Sequence, residues 1–253
     1  MWDAIVAGAG PAGAVAAYVL AREGRRVLLI DKVDPATSKI GEALPGAAMR
    51  LMSALELPTP KRGGPHATIG GNLSSWGSDE LIAREFILEP DGPGWRLERD
   101  RFDADLRAAA VGAGAQYNSA HVASVERRDE NWLVQFNTAS MEVARWIVDA
   151  TGRRASIARR VGARRLRDVQ LVAIYSIATS APEFYLNRTV IEATPEGWWY
   201  AAQLPSGAAV VGFHGGPREA RRRVARQSGW EGSDNQDGHF GGRGEGMIVA
   251  ARR

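Results

Sequence analysis

Three glycines and an acid carry the first chemistry of this chain. Gly8-Ala9-Gly10-Pro11-Ala12-Gly13 has the spacing G-x-G-x-x-G, and Asp31 follows roughly 20 residues later. This spacing suits a pair of phosphates. Gly8 permits a tight turn, Gly10 lets the backbone approach a pyrophosphate, and Gly13 lets a helix pack closely on a strand. The N-terminus of the helix that follows aims free N–H groups and the positive end of its dipole at the phosphates. Asp31, with Lys32 beside it, is placed to accept hydrogen bonds from a ribose hydroxyl. Its charge repels a 2′-phosphate, so the adenosine is that of NAD or FAD rather than NADP.

The elements that must hold these residues are legible around them. Residues 3–7 read as an apolar strand, 14–22 as an Ala-rich helix stopped by Gly24 in a left-handed conformation, and 26–30 as a second strand. A loop then carries Gly41-Glu42-Ala43-Leu44, and a helix over 47–55 ends before Pro58 and Pro60. Strands are expected at 73–76 and 85–88, with an extended stretch over 95–98. A helix at 101–111 puts Phe102, Leu106 and Ala110 on one side. Strands at 115–126 and 132–136 frame a polar hairpin, and Trp146 to Asp149 is a buried strand running into Ala150-Thr151-Gly152. Four further strand-like runs, 169–178, 188–193, 198–203 and 208–213, follow without helices between them. That pattern describes an antiparallel sheet rather than more βαβ units.

Composition narrows the classes. At 253 residues and 45% hydrophobic content the chain can bury a sizeable core. The absence of cysteine excludes disulfides, cysteine metal sites and thiol nucleophiles, and the four histidines are too scattered for a metal site, so no metal is expected. No apolar run reaches the roughly 20 residues of a membrane span, and a cytoplasmic location is expected. Net charge is +3, carried almost wholly by arginine, since Lys32, Lys39 and Lys61 are the only lysines. The arginine clusters at 153–154, 159–160, 164–165 and 221–223 have no stripe of stacking aromatics beside them. They read as a solvated surface rather than a nucleic-acid site.

Four separated pieces, in order, resemble the FAD-dependent monooxygenases built like p-hydroxybenzoate hydroxylase, with the related geranylgeranyl reductases and flavin-dependent halogenases. They are the Gly8-Gly10-Gly13 motif with Asp31, then Gly41-Glu42-Ala43-Leu44, then Arg99-Asp100-Arg101-Phe102-Asp103, then Asp149-Ala150-Thr151-Gly152. Trp76-Gly77-Ser78 and Gly197-Trp198-Trp199-Tyr200 are similar to the flavoproteins that oxidise tryptophan during maturation of tryptophylquinone amine oxidases. The resemblance covers residues 3 to 214. It implies an FAD-dependent oxidoreductase, foremost a monooxygenase hydroxylating an aromatic, tryptophan-like substrate through a flavin C4a-hydroperoxide, with NAD(P)H as candidate electron donor. The partner it implies is a small-molecule or peptide-borne aromatic substrate. Two other readings stand beside it: a reductase-like or halogenase-like flavoenzyme, and a truncated flavoprotein fold without catalysis.

The implied fold is α/β, a Rossmann-like βαβ FAD-binding domain with an inserted, mainly antiparallel β-sheet substrate domain. The first takes residues 1–72 and 99–163, the second 73–98 and 164–214. Residues 215–253 are expected to be a disordered or aberrant tail, being poor in apolar residues. The family's Gly-Asp motif downstream of the substrate sheet does not occur in this sequence. The halogenases' W-x-W-x-I-P spacing is not matched either, and Lys39 is not where their tunnel lysine is expected. Implied cofactor contacts are Gly8, Gly10, Pro11, Ala12, Gly13, Asp31, Lys32, Gly41, Glu42, Arg99, Val122, Asp149, Ala150, Thr151 and Gly152. Glu42 and Arg99 are the catalytic candidates. Glu42 reads equally as an exposed loop carboxylate, and the alternative for Arg99 is a surface pair with Glu98 or Asp103. Trp198 and Tyr200, on one face of a strand, are substrate-binding candidates or else part of an aromatic core.

Overall fold

The computed structural model describes residues 1–32, 40–78, 80–166, 169–178, 187–219 and 248–252. Lys39 and most of the expected tail lie outside them. The chain forms two compact units, 1–41 with 51–59 and 99–166, and 42–50 with 60–98 and 167–253. Segments 42–50 and 60–72, grouped with the nucleotide motif in the sequence reading, therefore belong to the second unit.

The first unit starts with β1 (Trp2–Ala7), α1 (Pro11–Arg22) and β2 (Val27–Ile30). All four residues of β2 and the last four of β1 are buried, as strands inside a parallel sheet must be. The end of α1 is set by Gly24 at φ 72°: its N–H donates to the Ala21 carbonyl and that of Arg25 to Leu20. This pair of bonds is the Schellman arrangement that a glycine past a helix end permits. After α3 (Arg99–Gly112) come β8 (Gln116–Asn118), β9 (Val122–Arg128), β10 (Asn131–Phe136), β11 (Met141–Asp149) and α4 (Ser156–Arg160). The sheet order is β8-β2-β1-β11-β10-β9, parallel from β8 to β11 and antiparallel beyond. Ile5, Leu28, Ile30, Val134, Phe136 and Ile157 anchor the core on one side, and α1 packs with α3.

One expected strand is two. Residues 115–126 split into β8 and β9 because β8 pairs in parallel with β2 while β9 pairs antiparallel with β10. One continuous strand cannot serve both partners.

The second unit holds a small antiparallel sheet, β3 (Ala43–Leu44), β7 (Gly94–Arg96) and β4 (Ala67–Ile69), in the order β3-β7-β4. Helix α2 (Gly46–Ala54) divides between the two units. A seven-stranded sheet completes the second unit. Its strands are β5 (Gly71–Ser75), β6 (Ile82–Glu85), β12 (Val172–Ala178), β13 (Arg188–Thr194), β14 (Gly197–Gln203), β15 (Ala209–Gly215) and β16 (Ile248–Arg252). They are ordered β16-β12-β15-β14-β13-β5-β6, antiparallel except that β5 runs parallel to β13. The strand expected at 85–88 starts earlier: β6 ends at Glu85, and Phe86–Leu88 is a turn of 3₁₀ helix. At 248–252 the expected tail gives way to a strand paired with β12. Among the described residues no helix is long and apolar enough to cross a membrane.

Candidate cofactor and substrate sites

In the first unit the glycine turn is an interlock of main chains. Gly8 has φ 105°, and its N–H donates to the Ile30 carbonyl at 2.7 Å. A side chain on Gly8 would overlap the Ala150 carbonyl, and one on Gly13 would overlap the Gly8 carbonyl. Gly10 differs. Its φ is an ordinary −71°, and nothing lies within 4 Å of where its Cβ would stand. No part of the protein requires glycine there, whereas a ligand pressed against the backbone does. Pro11 occupies the first turn of α1, where no side chain caps the helix and no acid competes for the N–H groups. Among the described residues the N–H groups of Ala12 and Gly13 have no side-chain acceptor, the usual state of an uncapped helix start.

Asp31 stands at the end of β2, and its Oδ2 accepts the Ala9 N–H at 2.8 Å. The carboxylate thereby braces the glycine turn. Its other oxygen has no recorded partner among the described residues. Lys32 follows, exposed. Val122 is buried in the core beside Phe136, so its side chain is a packing group and only its main chain could meet a ligand. Arg107, which sequence reasoning passed over, buries its Nη1 without a partner among the described residues.

Asp149 proves to be a strut. Its Oδ1 accepts the Thr151 N–H at 3.1 Å and the Thr151 hydroxyl at 2.6 Å. Its Oδ2 accepts the N–H groups of Ile157 at 3.0 Å and Ala158 at 2.8 Å, capping α4. Thr151 Oγ1 accepts the Ser156 N–H in turn. Both carboxylate oxygens are spent inside the turn, and the Ala150 N–H is spent as well, on the Ala7 carbonyl at 2.8 Å.

Burial pushes the Asp149 carboxyl up, but the donors at Ala158, Thr151 and Ile157 together outweigh it and hold it below the ordinary aspartate value. A carboxyl held low in the fold contributes stability fully above about pH 4, the unfolded value, and loses it as pH falls through the folded one. Asp149→Asn should therefore cost about 1–2 kcal/mol at neutral pH. Urea unfolding of the two proteins should converge as the buffer is acidified below that point. A gap that persists unchanged in acid would show that geometry, not charge, holds the turn.

Arg99 opens α3 with its guanidinium fully engaged. It pairs with Asp103 through bonds of 3.2 and 3.3 Å and donates to the carbonyls of Ile40 at 2.9 Å and Gly41 at 3.1 Å. The pairing with Asp103 is the expected alternative, but it is not a surface pair, because the Asp103 side chain is 1% exposed. Arg99 fastens the loop that turns at Gly41, where φ is 104°.

The second unit gathers Glu42, Arg96, Thr189 and Tyr200 into one buried network. Glu42 and Arg96 are 2% and 3% exposed, so Glu42 is not the exposed loop carboxylate of the alternative reading. The Tyr200 hydroxyl donates to Glu42 Oε1 at 2.5 Å. Arg96 donates from Nη1 to Tyr200 Oη at 3.0 Å and from Nη2 to Thr189 Oγ1 at 2.9 Å. The direct Arg96–Glu42 approach is 3.5 Å, so the phenol is the tighter link between the two charges. Burial first, and then the Glu42 charge, push the Tyr200 phenol well above its ordinary value, against the pull of Arg96. It stays protonated and remains a donor to Glu42.

Along β14, Trp198 and Tyr200 share one face and Trp199 takes the other. Trp198 stacks on His214 at 5.0 Å between ring centroids, Tyr200 meets His214 edge-on at 6.4 Å, and Trp76 tilts toward Trp198 at 6.2 Å. Trp199 packs against Phe213 on the opposite face. Burial lowers the His214 pKa, which keeps the imidazole neutral and suited to stacking. Arg96 and Thr189 are the residues sequence reasoning missed. The available signal was Arg96 itself, a charge set between Trp95 and Leu97 in a short strand.

Residues 1–237 match the family described as FAD binding domain. The chain belongs to that family. A putative FAD-dependent oxidoreductase of Marinomonas mediterranea, LodB, is 30% identical over 217 residues, covering 83% of this chain and 59% of that protein. The digeranylgeranylglycerophospholipid reductase 1 of Methanothermobacter thermautotrophicus is 29% identical over 226 residues, covering 83% and 54%. The myxobacterial chondrochloren halogenase CndH superposes with a TM-score of 0.75 at 26% identity, covering 90% of this chain and 55% of that one. The chain thus spans about half the length of the relatives it matches. The superfamily implied by the four motifs is the one found. The first unit's residues fit FAD: an unobstructed Gly10, a helix start with unspent N–H groups, and an acid beside the turn.

Proposed function

We propose that the protein is an FAD-dependent monooxygenase that hydroxylates an aromatic, tryptophan-like ring carried by a small molecule or a peptide, with NAD(P)H as reductant. The observation that carries this reading is the aromatic face of Trp76, Trp198, Tyr200 and His214. A planar, electron-rich ring finds stacking and edge partners there. FAD, when bound, supplies the activation of oxygen and the electron bookkeeping. Gly10 and the first turn of α1 hold its pyrophosphate, and Asp31 holds its ribose.

In the second unit, Trp198 and His214 orient the substrate ring. Arg96 and Glu42 act at one remove: they fix the Tyr200 hydroxyl, which keeps its proton and so fixes the ring of Tyr200 against His214. Both are positioning residues in this reading. One oxygen atom enters the ring, the other leaves as water, and NAD(P)H supplies the two electrons.

The test begins with an absorbance spectrum before and after excess FAD, where a flavin spectrum that survives gel filtration is expected. NAD(P)H oxidation that needs both oxygen and a tryptophan-bearing peptide or free indole, with labelled oxygen appearing in the ring, is the expected second result. Turnover that instead needs halide, or that proceeds without oxygen on a lipid double bond, would replace this reading. A protein that ignores added FAD would remove the enzyme reading for this chain.

A further inference from the structure

Asp31 is fastened at three points. Its N–H donates to the Asn118 carbonyl at 3.3 Å, which carries the β2–β8 ladder one bond past Ile30. Its Oδ2 accepts the Ala9 N–H at 2.8 Å. Its carbonyl accepts the Tyr117 hydroxyl at 3.0 Å. The first two bonds follow from the sheet and the glycine turn. The third does not: Tyr117 stands opposite Leu29 in the register of β2 and β8, and its side chain reaches past Ile30 to the Asp31 carbonyl.

That third bond contributes little to the fold as such. Tyr117 is 38% exposed, and water can serve a phenol and a strand-end carbonyl at a wet position. What the bond fixes is direction. With the N–H, the C=O and one carboxylate oxygen of Asp31 all tied, the other oxygen has little freedom in where it points, which is the condition for a preorganised acceptor. Burial first, and then the Asp31 charge, push the Tyr117 phenol up, against smaller pulls from Arg107 and Ser119. The phenol therefore keeps its proton and remains a donor.

We infer that Tyr117 is a positioning residue for the adenosine ribose of FAD: its hydroxyl holds the Asp31 main chain so that the carboxylate oxygen not bonded to Ala9 is aimed at a ribose hydroxyl. The inference rests on the reading of Asp31 as the ribose acceptor proposed above.

Tyr117→Phe keeps the ring and deletes the hydroxyl. Isothermal titration of the full chain should show FAD and ADP each bound about three- to ten-fold more weakly, the loss of about one net hydrogen bond. The melting temperature of the apoprotein should stay within about 3 °C. The deciding comparison uses 2′,3′-dideoxyadenosine diphosphate, which keeps the base and phosphates of ADP and lacks both ribose hydroxyls. The unaltered protein should bind it more weakly than ADP, and Tyr117→Phe should bind it as well as the unaltered protein does. Equal weakening of both nucleotides would make Tyr117 a structural residue and overturn the inference. So would normal FAD binding by Tyr117→Phe with loss in Tyr117→Ala, because the ring and not the hydroxyl would then act. An unaltered protein that binds FAD but treats the two nucleotides alike also overturns it, and leaves the ring-hydroxylation reading in place. The reverse case, the expected nucleotide pattern with no labelled oxygen in any ring, supports the inference and removes only that reading. A protein that binds neither FAD nor ADP removes both.

Discussion

Gly10→Val should abolish flavin binding and leave the fold almost as stable as before. Gly10 has a backbone conformation that valine can adopt and open space around its Cβ direction, so the protein itself offers no clash. The cost to the apoprotein is that of a poorer helix N-cap, about 1 kcal/mol, which for a chain of this size is a drop of about 2–4 °C in Tm. The isopropyl group instead fills the space where a pyrophosphate must approach the main chain. Affinity for FAD should fall by about 100-fold or more, the equivalent of about 3 kcal/mol. Absorbance titration with FAD and a thermal melt of the apoprotein read the two effects separately. Gly13→Ala is the contrast: its Cβ meets the Gly8 carbonyl inside the protein, and both the melt and the titration should suffer. Should Gly10→Val unfold the chain, or bind FAD normally, the open space at Gly10 has no ligand to explain it.

Arg96→Met should destabilise the second unit by about 3–5 kcal/mol, the usual cost of removing one partner of a buried ion pair. Glu42 is almost wholly removed from solvent, and the Arg96 guanidinium lies 3.5 Å from it. Its removal also deprives Tyr200 Oη and Thr189 Oγ1 of a donor. Adding Glu42→Gln to Arg96→Met should recover a large part of the loss, since a neutral amide tolerates the absence of the guanidinium better than a carboxylate does. The non-additivity of the double variant is the measured quantity. Urea unfolding followed by circular dichroism reads the loss. A loss under about 1 kcal/mol would mean that the Arg96–Glu42 pairing does not hold this unit together.

The two predictions rest on sites of different legibility. The Gly8–Asp31 segment could be read directly because its determinants are local: apolar strands, a glycine spacing and an acid set by the length of one βαβ turn. The Gly24 helix stop is local in the same sense. The network of Glu42, Arg96, Thr189 and Tyr200 was legible only in part. Glu42 and Tyr200 stood out by motif and by aromatic neighbours, but their partners lie 54 to 158 residues away along the chain. An arginine in a short strand looks like a solvated residue until a carboxylate and a phenol are brought to it.

The Asp149 cap was hidden in another way. Its ligands to Ile157 and Ala158 are near in sequence, yet the motif suggested a cofactor contact, and a helix as short as α4 gives little periodicity to reveal its cap. The split of 115–126 into two strands was hidden because alternation records which face is buried, not which neighbour a strand pairs with.

The parallel pairing of β5 with β13 has a consequence for how the protein is made. β5 emerges from the ribosome early, but its neighbour in the sheet is more than a hundred residues behind it, with β8 to β11 of the other unit translated in between. The first unit has all its strands once Asp149 has emerged, whereas the large sheet waits for β13, β14 and β15. During that interval β5 and β6 form a lone hairpin, and such pairs are marginal by themselves. The first unit is thus free to close first, and the large sheet, dominated by distant pairings, is expected to close more slowly.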